Sequence, residues 1–300
     1  MHIKKAFLFP GQGSQQVGMG KSLLSLGKLA EKRIKTASEI LNFDIFKIML
    51  EGTAEELQKT AVTQPAIFLH TTILAEALGV PQEASMVAGH SLGEISALVI
   101  ANVLDFEDAL FLVAERAAAM QEACQINPGT MAAVLGTEDE IVETICVQTQ
   151  KTVVPANYNA PGQLVISGEK EGVKLASEAA KKNGAKMVKE LAVGGAFHSP
   201  LMQPAQERLQ KAIEKLHFRT PTFPVYQNVS AVAETDPERI KKQLLIQLTA
   251  PVKWKQSIEN MVKDGAQMLI EVGPSNVLQG LVKKIVPQIP VQSINSLSDL

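Results

Sequence analysis

With 300 residues, 46% hydrophobic and 20% charged, the chain is long enough to bury a large core and reads as one big domain or two smaller ones, not as disorder. Its 29 basic and 31 acidic residues leave a net charge of -2, so nothing electrostatic argues for wrapping nucleic acid or lying on an anionic membrane. Two cysteines, Cys124 and Cys146, lie in helical patterns without a C-x-x-C partner, which excludes a disulfide framework and a zinc cluster and fits a reducing cytosol.

In chain order, "MHIKKAFLFPGQ" starts basic, but its apolar run from Ala6 ends at Pro10, too short for a signal segment or a membrane span. A cytoplasmic location is therefore expected. Short apolar runs then alternate with longer segments of helical period, the pattern of a mainly parallel sheet covered by helices. "KAFLF", "SMVAGH", "TFPVYQN", "MLIEVG" and "VQSIN" read as strands, and "TQPAIFLHTTILAEALG" and "FEDALFLVAERAAAMQEAC" as helices. The second helix carries Phe106, Leu110, Val113, Ala117, Met120 and Cys124 on one stripe. From Gly129 to Val193 the rhythm changes. Strand "TMAAVLG", helix "TEDEIVETICVQTQ", strands "TVVPANYN" and "QLVISG", helix "EKEGVKLASEAAKKNG" and strand "KMVKELAV" give β-α-β-β-α-β, a split ferredoxin-like order inside the larger alternation. The expected architecture is a large α/β subdomain formed by residues 1–128 and 194–300, with residues 129–193 inserted.

"VAGHSLGEIS" places Ser91 between two glycines at G-x-S-x-G spacing. Alone, that string also occurs in purely structural turns. Here strand-like "SMVAGH" precedes it and helix-forming "EISALVIANVL" follows, the setting of a nucleophile elbow, in which a sharp turn exposes a serine hydroxyl beside the first N–H groups of a helix. Such a hydroxyl needs a base. Of five histidines, His2 is terminal, His70 lies in an apolar helix and His217 follows an amphipathic helix. His90 adjoins Ser91, and neighbours on a sharp turn point apart, which suits a packing role. His198 remains, in "GGAFHSPLMQPAQERLQKAI", with Ser199 as an N-cap and Pro200 as a first helical residue holding it on a loop at a helix entrance. The pattern alone leaves open whether it is a base or an ordinary loop residue.

"FPGQGSQ", "TQPAIF", "GHSLGE", "ERAAAMQ", "NYNAPGQLVISG", "AFHSPLM", "APVKW" and "EVGPSNVL", in this order over nearly the whole length, resemble the malonyl-CoA:acyl carrier protein transacylases of bacterial fatty acid synthesis. The resemblance implies an α/β-hydrolase-like large subdomain with a ferredoxin-like insertion. It also implies a ping-pong reaction: malonyl passes from coenzyme A to a serine, then to the phosphopantetheine thiol of acyl carrier protein. No cofactor or metal is implied, and a monomer is expected.

By that resemblance Ser91 is the nucleophile and His198 the general base. His198 is oriented by the main-chain carbonyl of Gln247 rather than by a third acid; by its own pattern Gln247 reads as a surface helix residue, and only its backbone is claimed. The backbone N–H groups of Gln12 and Leu92 form the oxyanion hole. Arg116 pairs with the free malonyl carboxylate, for which a planar guanidinium fork is suited. Phe197 and Met120 shape the pocket, with Asn157, Asn159 and Gln163 of the insertion facing the cleft. One departure is Ser275-Asn276, where many members read Gly-Lys, so a charged contact is not expected there. An acidic carrier protein calls for a basic face, for which Lys181, Lys182, Lys186, Lys189, Lys283 and Lys284 are candidates. Three rival readings stand: a serine hydrolase releasing acyl groups to water, a discrete acyltransferase of a polyketide pathway, and a non-catalytic docking component.

Overall fold

In the computed structural model, which describes residues 3–299, the alternating pattern folds into an α/β architecture with two sheets. The strands are β1 (Lys5–Phe9), β2 (Met86–Gly89), β3 (Gly129–Leu135), β4 (Val153–Ala160), β5 (Gln163–Glu169), β6 (Met187–Glu190), β7 (Val225–Tyr226), β8 (Ala233–Glu234), β9 (Met268–Val272) and β10 (Val291–Ile294). The larger sheet has the order β10-β9-β1-β2-β7-β8, parallel throughout except for the edge pair β7-β8. Its central strands are buried on both faces, which is why "KAFLF" and "MVAG" read as unbroken apolar runs.

The helices Thr60–Ala77, Gly93–Ile100 and Phe106–Ile126 share the main core with one face of this sheet. Trp254–Lys263 and Val277–Ile285 pack on the other, in a second core that includes Ala6, Leu8, Ala88 and Tyr226. The alternation of Phe7 and Phe9 against Ala6 and Leu8 divides β1 between these cores.

The smaller sheet is antiparallel, in the order β4-β5-β3-β6. Its two helices, Asp139–Gln148 and Lys170–Lys182, join the strands in the order β-α-β-β-α-β. Period-two alternation gives it two faces. Ala132, Val134, Leu164 and Ile166 pack on its own helices, while Met131 and Val165 turn toward the main core. A bridge between Asn157 and Val252 ties β4 to the segment before Trp254–Lys263.

Several elements differ from expectation. "KMVKELAV" forms a strand only over Met187–Glu190, and "TFPVYQN" only over Val225–Tyr226, because Pro224 has no N–H to extend the ladder. Three helices, Lys28–Leu41, Ile45–Glu51 and Ala54–Gln58, fill a region in which the pattern assigned nothing. Among the described residues, no helix is long and apolar enough to cross a membrane.

Candidate active site

Strand β2 ends at Gly89 and the next helix starts at Gly93, leaving Ser91 at the apex of the turn with φ 52°. This left-handed backbone is strained for serine. The turn closes only because its flanks lack a Cβ: one on Gly89 would fall 1.9 Å from the Gly93 carbonyl, and one on Gly93 2.0 Å from the Phe9 oxygen. Both glycines of the motif are therefore steric requirements. Asn228 holds the turn from behind, accepting the Ser91 N–H at 2.7 Å and donating to the Gly89 carbonyl at 2.7 Å.

The Ser91 Oγ lies 2.8 Å from His198 Nε2, and His198 Nδ1 lies 2.9 Å from the Gln247 carbonyl oxygen. A carbonyl only accepts, so Nδ1 carries the ring proton and Nε2 turns its lone pair toward the serine hydroxyl. Burial, helped by the charge of Arg116, pushes the His198 pKa down to about 3, against the opposing bond to Gln247. The imidazole is thus neutral at pH 7 and able to take a proton. It sits at φ 56°, ahead of a short 3-10 turn, Pro200–Met202, that is capped by Ser199 and leads into the helix Gln203–Ile213.

Leu92 stands at the N-terminus of the helix Gly93–Ile100, and Gln12 in the loop after β1. Neither backbone N–H has a hydrogen-bond partner among the described residues. The Gln12 loop comes close to the elbow because Gly11 has no side chain; a Cβ there would meet the His90 carbonyl oxygen at 2.3 Å. Two unpaired backbone N–H groups thus stand by the elbow among the described residues.

Arg116, on the helix Phe106–Ile126, is 2% exposed. It donates to Gln64 Oε1 at 2.7 Å, to Ser91 Oγ at 2.9 Å and to Gln247 Oε1 at 3.1 Å. Among the described residues it forms no ion pair, and the one charge that acts on it is Glu94. Burial lowers its pKa to about 10, which still leaves it a cation.

Ser91, His198 and Arg116 line one cleft of about 340 Å³ between the two sheets, with Gln12, Phe197 and Met120. Asn157 and Asn159 reach it from β4, which is irregular at this point, and Asn159 Oδ1 lies 2.9 Å from His90 Nε2. His90 packs on Trp254, as expected of a supporting group. His70 is buried and contacts Ser22, His217 is exposed and away from the cleft, and His2 lies outside the described residues.

Two expectations need correction. Gln163 does not line the cleft: it starts β5, and its amide oxygen accepts from Lys284 Nζ at 3.1 Å. Gln247 contributes more than its backbone, since it is fully buried and its side chain contacts Arg116 and donates to the Ser91 carbonyl at 3.1 Å. Its position at the end of the helix Pro237–Ile246 looked like helix surface because the burying partners come from distant segments. Three further residues at the site were missed. Gln64 lies within "TQPAIF" and Glu94 ends "GHSLGE", so quoted motifs already contained them; Asn228 had no signal beyond following a short strand. Among the described residues, no cluster of three or more His, Cys, Asp or Glu suited to holding a metal occurs.

A model of the acyl transferase domain matches residues 6–298 of the chain. The chain belongs to the acyl transferase family. It is 41% identical over 300 residues to the malonyl CoA-acyl carrier protein transacylase of Haemophilus influenzae, covering 98% of this chain and 96% of that one. Among solved acyl transferases, an acyl carrier protein S-malonyltransferase from Vibrio cholerae superposes with a TM-score of 0.94 at 40% identity, over 99% of this chain and 98% of the other. A second, a malonyl-transacylase in complex with its type II PKS acyl-carrier protein, gives 0.95 at 39% identity over 99% and 97%.

Proposed function

We propose that this acyl transferase moves a malonyl group from malonyl-CoA to the phosphopantetheine thiol of acyl carrier protein, supplying fatty acid synthesis, through a malonyl ester on Ser91. The observation that carries the reading is Arg116: a buried guanidinium with no ion-pair partner among the described residues, 2.9 Å from the nucleophile's Oγ. A free carboxylate next to the reacting carbonyl is what such a group lacks.

In the first half-reaction His198 Nε2 takes the hydroxyl proton while Ser91 Oγ attacks the thioester carbonyl. The N–H groups of Gln12 and Leu92 receive the oxyanion, and its collapse breaks the C–S bond as His198 returns the proton to the CoA thiolate. The second half-reaction reverses these steps, with the carrier-protein thiol as nucleophile. The Gln247 carbonyl keeps the imidazole in the productive tautomer, a task that needs no carboxylate. Phe197, Met120, Asn157 and Asn159 shape the pocket. Nucleophile, base and donors all come from the chain, so the reading needs no cofactor.

We also read residues 1–128 and 194–300 as an α/β-hydrolase-like part and residues 129–193 as a ferredoxin-like insertion, on the strength of the parallel sheet and the β4-β5-β3-β6 order. A cytoplasmic location fits the free cysteines. The exposed lysines 181, 182, 186, 189 and 283 remain the candidate face for an acidic carrier protein, whereas Lys284 is engaged by Gln163.

Mixing the protein with malonyl-CoA and no carrier protein tests the reading. Intact mass is expected to rise by one malonyl unit, with no rise in Ser91→Ala, and added carrier protein is expected to discharge the ester. Discharge to water at the same rate without carrier protein would make the chain a hydrolase instead.

A further inference from the structure

Glu94 is an acid that the steps above do not use. It follows Gly93 on the elbow helix, is fully buried, and makes no ion pair among the described residues. Its Oε2 accepts the Asn228 N–H at 2.6 Å, and its Oε1 has no hydrogen-bond partner among the described residues. Hydrogen-bonded residues link it to the guanidinium: Glu94 holds the Asn228 backbone, Asn228 Oδ1 is 3.4 Å from Gln247 Nε2, and Gln247 Oε1 is 3.1 Å from Arg116. The ionisable groups around this chain are Arg116, His198 and His90. Both histidines are held neutral by burial, so Arg116 is the only charge facing Glu94 among the described residues.

We propose that Glu94 is the counter-charge of Arg116 in the empty site and takes up a proton when the carboxylate of a malonyl substrate pairs with the guanidinium. The inference rests on the reading of Arg116 as the malonyl-carboxylate site. A buried cation needs one compensating negative charge, not two. In the empty site Glu94 supplies it. A bound malonyl group brings a second carboxylate to the same guanidinium, and the excess charge is removed most easily at Glu94, whose Oε1 gains a proton from the buffer. Burial, opposed by the Asn228 N–H, the Gln247 side chain and Arg116, already holds the Glu94 pKa up at about 7, within reach of this change. Acetyl carries no carboxylate and leaves Glu94 ionised. Glu94 is thus a positioning residue that acts through Arg116, and malonyl selectivity is coupled to pH.

Calorimetric titration of full-length Ser91→Ala, which binds without turning over, in two buffers of different ionisation enthalpy reads the proton directly. Malonyl-CoA at about pH 7.5 is expected to draw in roughly half a proton or more, acetyl-CoA none, and Ser91→Ala/Glu94→Gln is expected to bind malonyl-CoA without uptake. Tighter binding of malonyl-CoA than of acetyl-CoA with no proton taken up would overturn the proposal and leave the Arg116 reading standing. Uptake that persists in Glu94→Gln would overturn it as well, by placing the proton elsewhere. Equal binding of both thioesters would remove the Arg116 reading and this proposal together. Should the Gln variant fail to fold, infrared difference spectra of Ser91→Ala made with ¹³C-labelled glutamate decide the point. A protonated-carboxyl band that shifts with the label is expected on malonyl-CoA binding, and its absence overturns the proposal.

Discussion

Arg116 Nη2 donates to the Oγ of Ser91 at 2.9 Å, so the cation and the elbow hydroxyl share a hydrogen bond. A malonyl ester on that oxygen would bring its free carboxylate close to the same guanidinium. Acetyl would leave the buried cation without this partner.

Arg116→Ala is therefore expected to lower malonyl transfer roughly ten- to a hundredfold, the loss of a charge-assisted bond of about 1.5 to 3 kcal/mol. Acetyl transfer is expected to hold or rise, because the penalty of an unpaired guanidinium disappears with it. Lysine is expected to restore only part of the preference. The measurement is the ratio of kcat/KM for the two thioesters in each variant; an unchanged ratio in Arg116→Ala sends the search for selectivity to Phe197.

His198→Ala is expected to cost roughly a hundred- to ten-thousandfold in rate, as a lost general base. Because burial and Arg116 hold the free-enzyme pKa at about 3, kcat/KM for acetyl-CoA is expected to show no acid limb near 6.5. Removing the neighbouring cation in Arg116→Ala is expected to move that limb upward. A pH profile of the parent with an inflection at 6.5 that vanishes in His198 variants contradicts the assignment.

Gln247→Ala separates backbone from side chain. The carbonyl that orients His198 survives the substitution, but Arg116 and the Ser91 carbonyl each lose a partner. Malonyl transfer is expected to fall by about tenfold, the scale of one net hydrogen bond lost at about 1.4 kcal/mol, well short of the His198 loss and with malonyl affected more than acetyl. A loss as large as that of His198→Ala, equal for both thioesters, indicates that the backbone itself has moved.

Stability is expected to fall in acid, chiefly through histidines. Burial depresses His70 to about 4, His198 to about 3, and His90 in the same direction. As the pH drops below 6.5 the unfolded chain binds protons that the native state refuses, so this stability is complete above 6.5 and drains away below it, at about 1.4 kcal/mol per pH unit per proton. Glu94 and Glu271, raised by burial to about 7, act oppositely: between about 7 and 4.5 the native state holds the extra proton, so acidification there favours it. The two effects largely offset each other down to about 4.5, and below that the histidines are joined by Glu56, Asp105 and Glu169, whose hydrogen bonds hold their carboxyls below the ordinary range. Urea midpoints are thus expected to change gently from pH 7 to 5 and to drop steeply below 4.5; a steepest drop between 7 and 6 would refute this balance.

The sequence by itself determined whatever repeats locally. Unbroken apolar runs such as "KAFLF" require a sheet buried on both faces, the change to β-α-β-β-α-β after Gly129 marks the second sheet, and the glycines around Ser91 demand a turn too tight for any Cβ. Ser91 was legible because an elbow is a short-range pattern, whereas the pattern around His198 left a base and an ordinary loop residue both open and only the family resemblance singled it out. Tertiary structure alone decided the partners. Gln247 looked like helix surface and is fully buried, Gln163 turned away to Lys284, and Asn228 and Glu94 acquired their places because distant segments close around the elbow. The reason is physical: periodicity records which side of an element is apolar, whereas a buried polar side chain is kept by hydrogen bonds to residues far away in the chain, and these exist only once the chain has closed on itself.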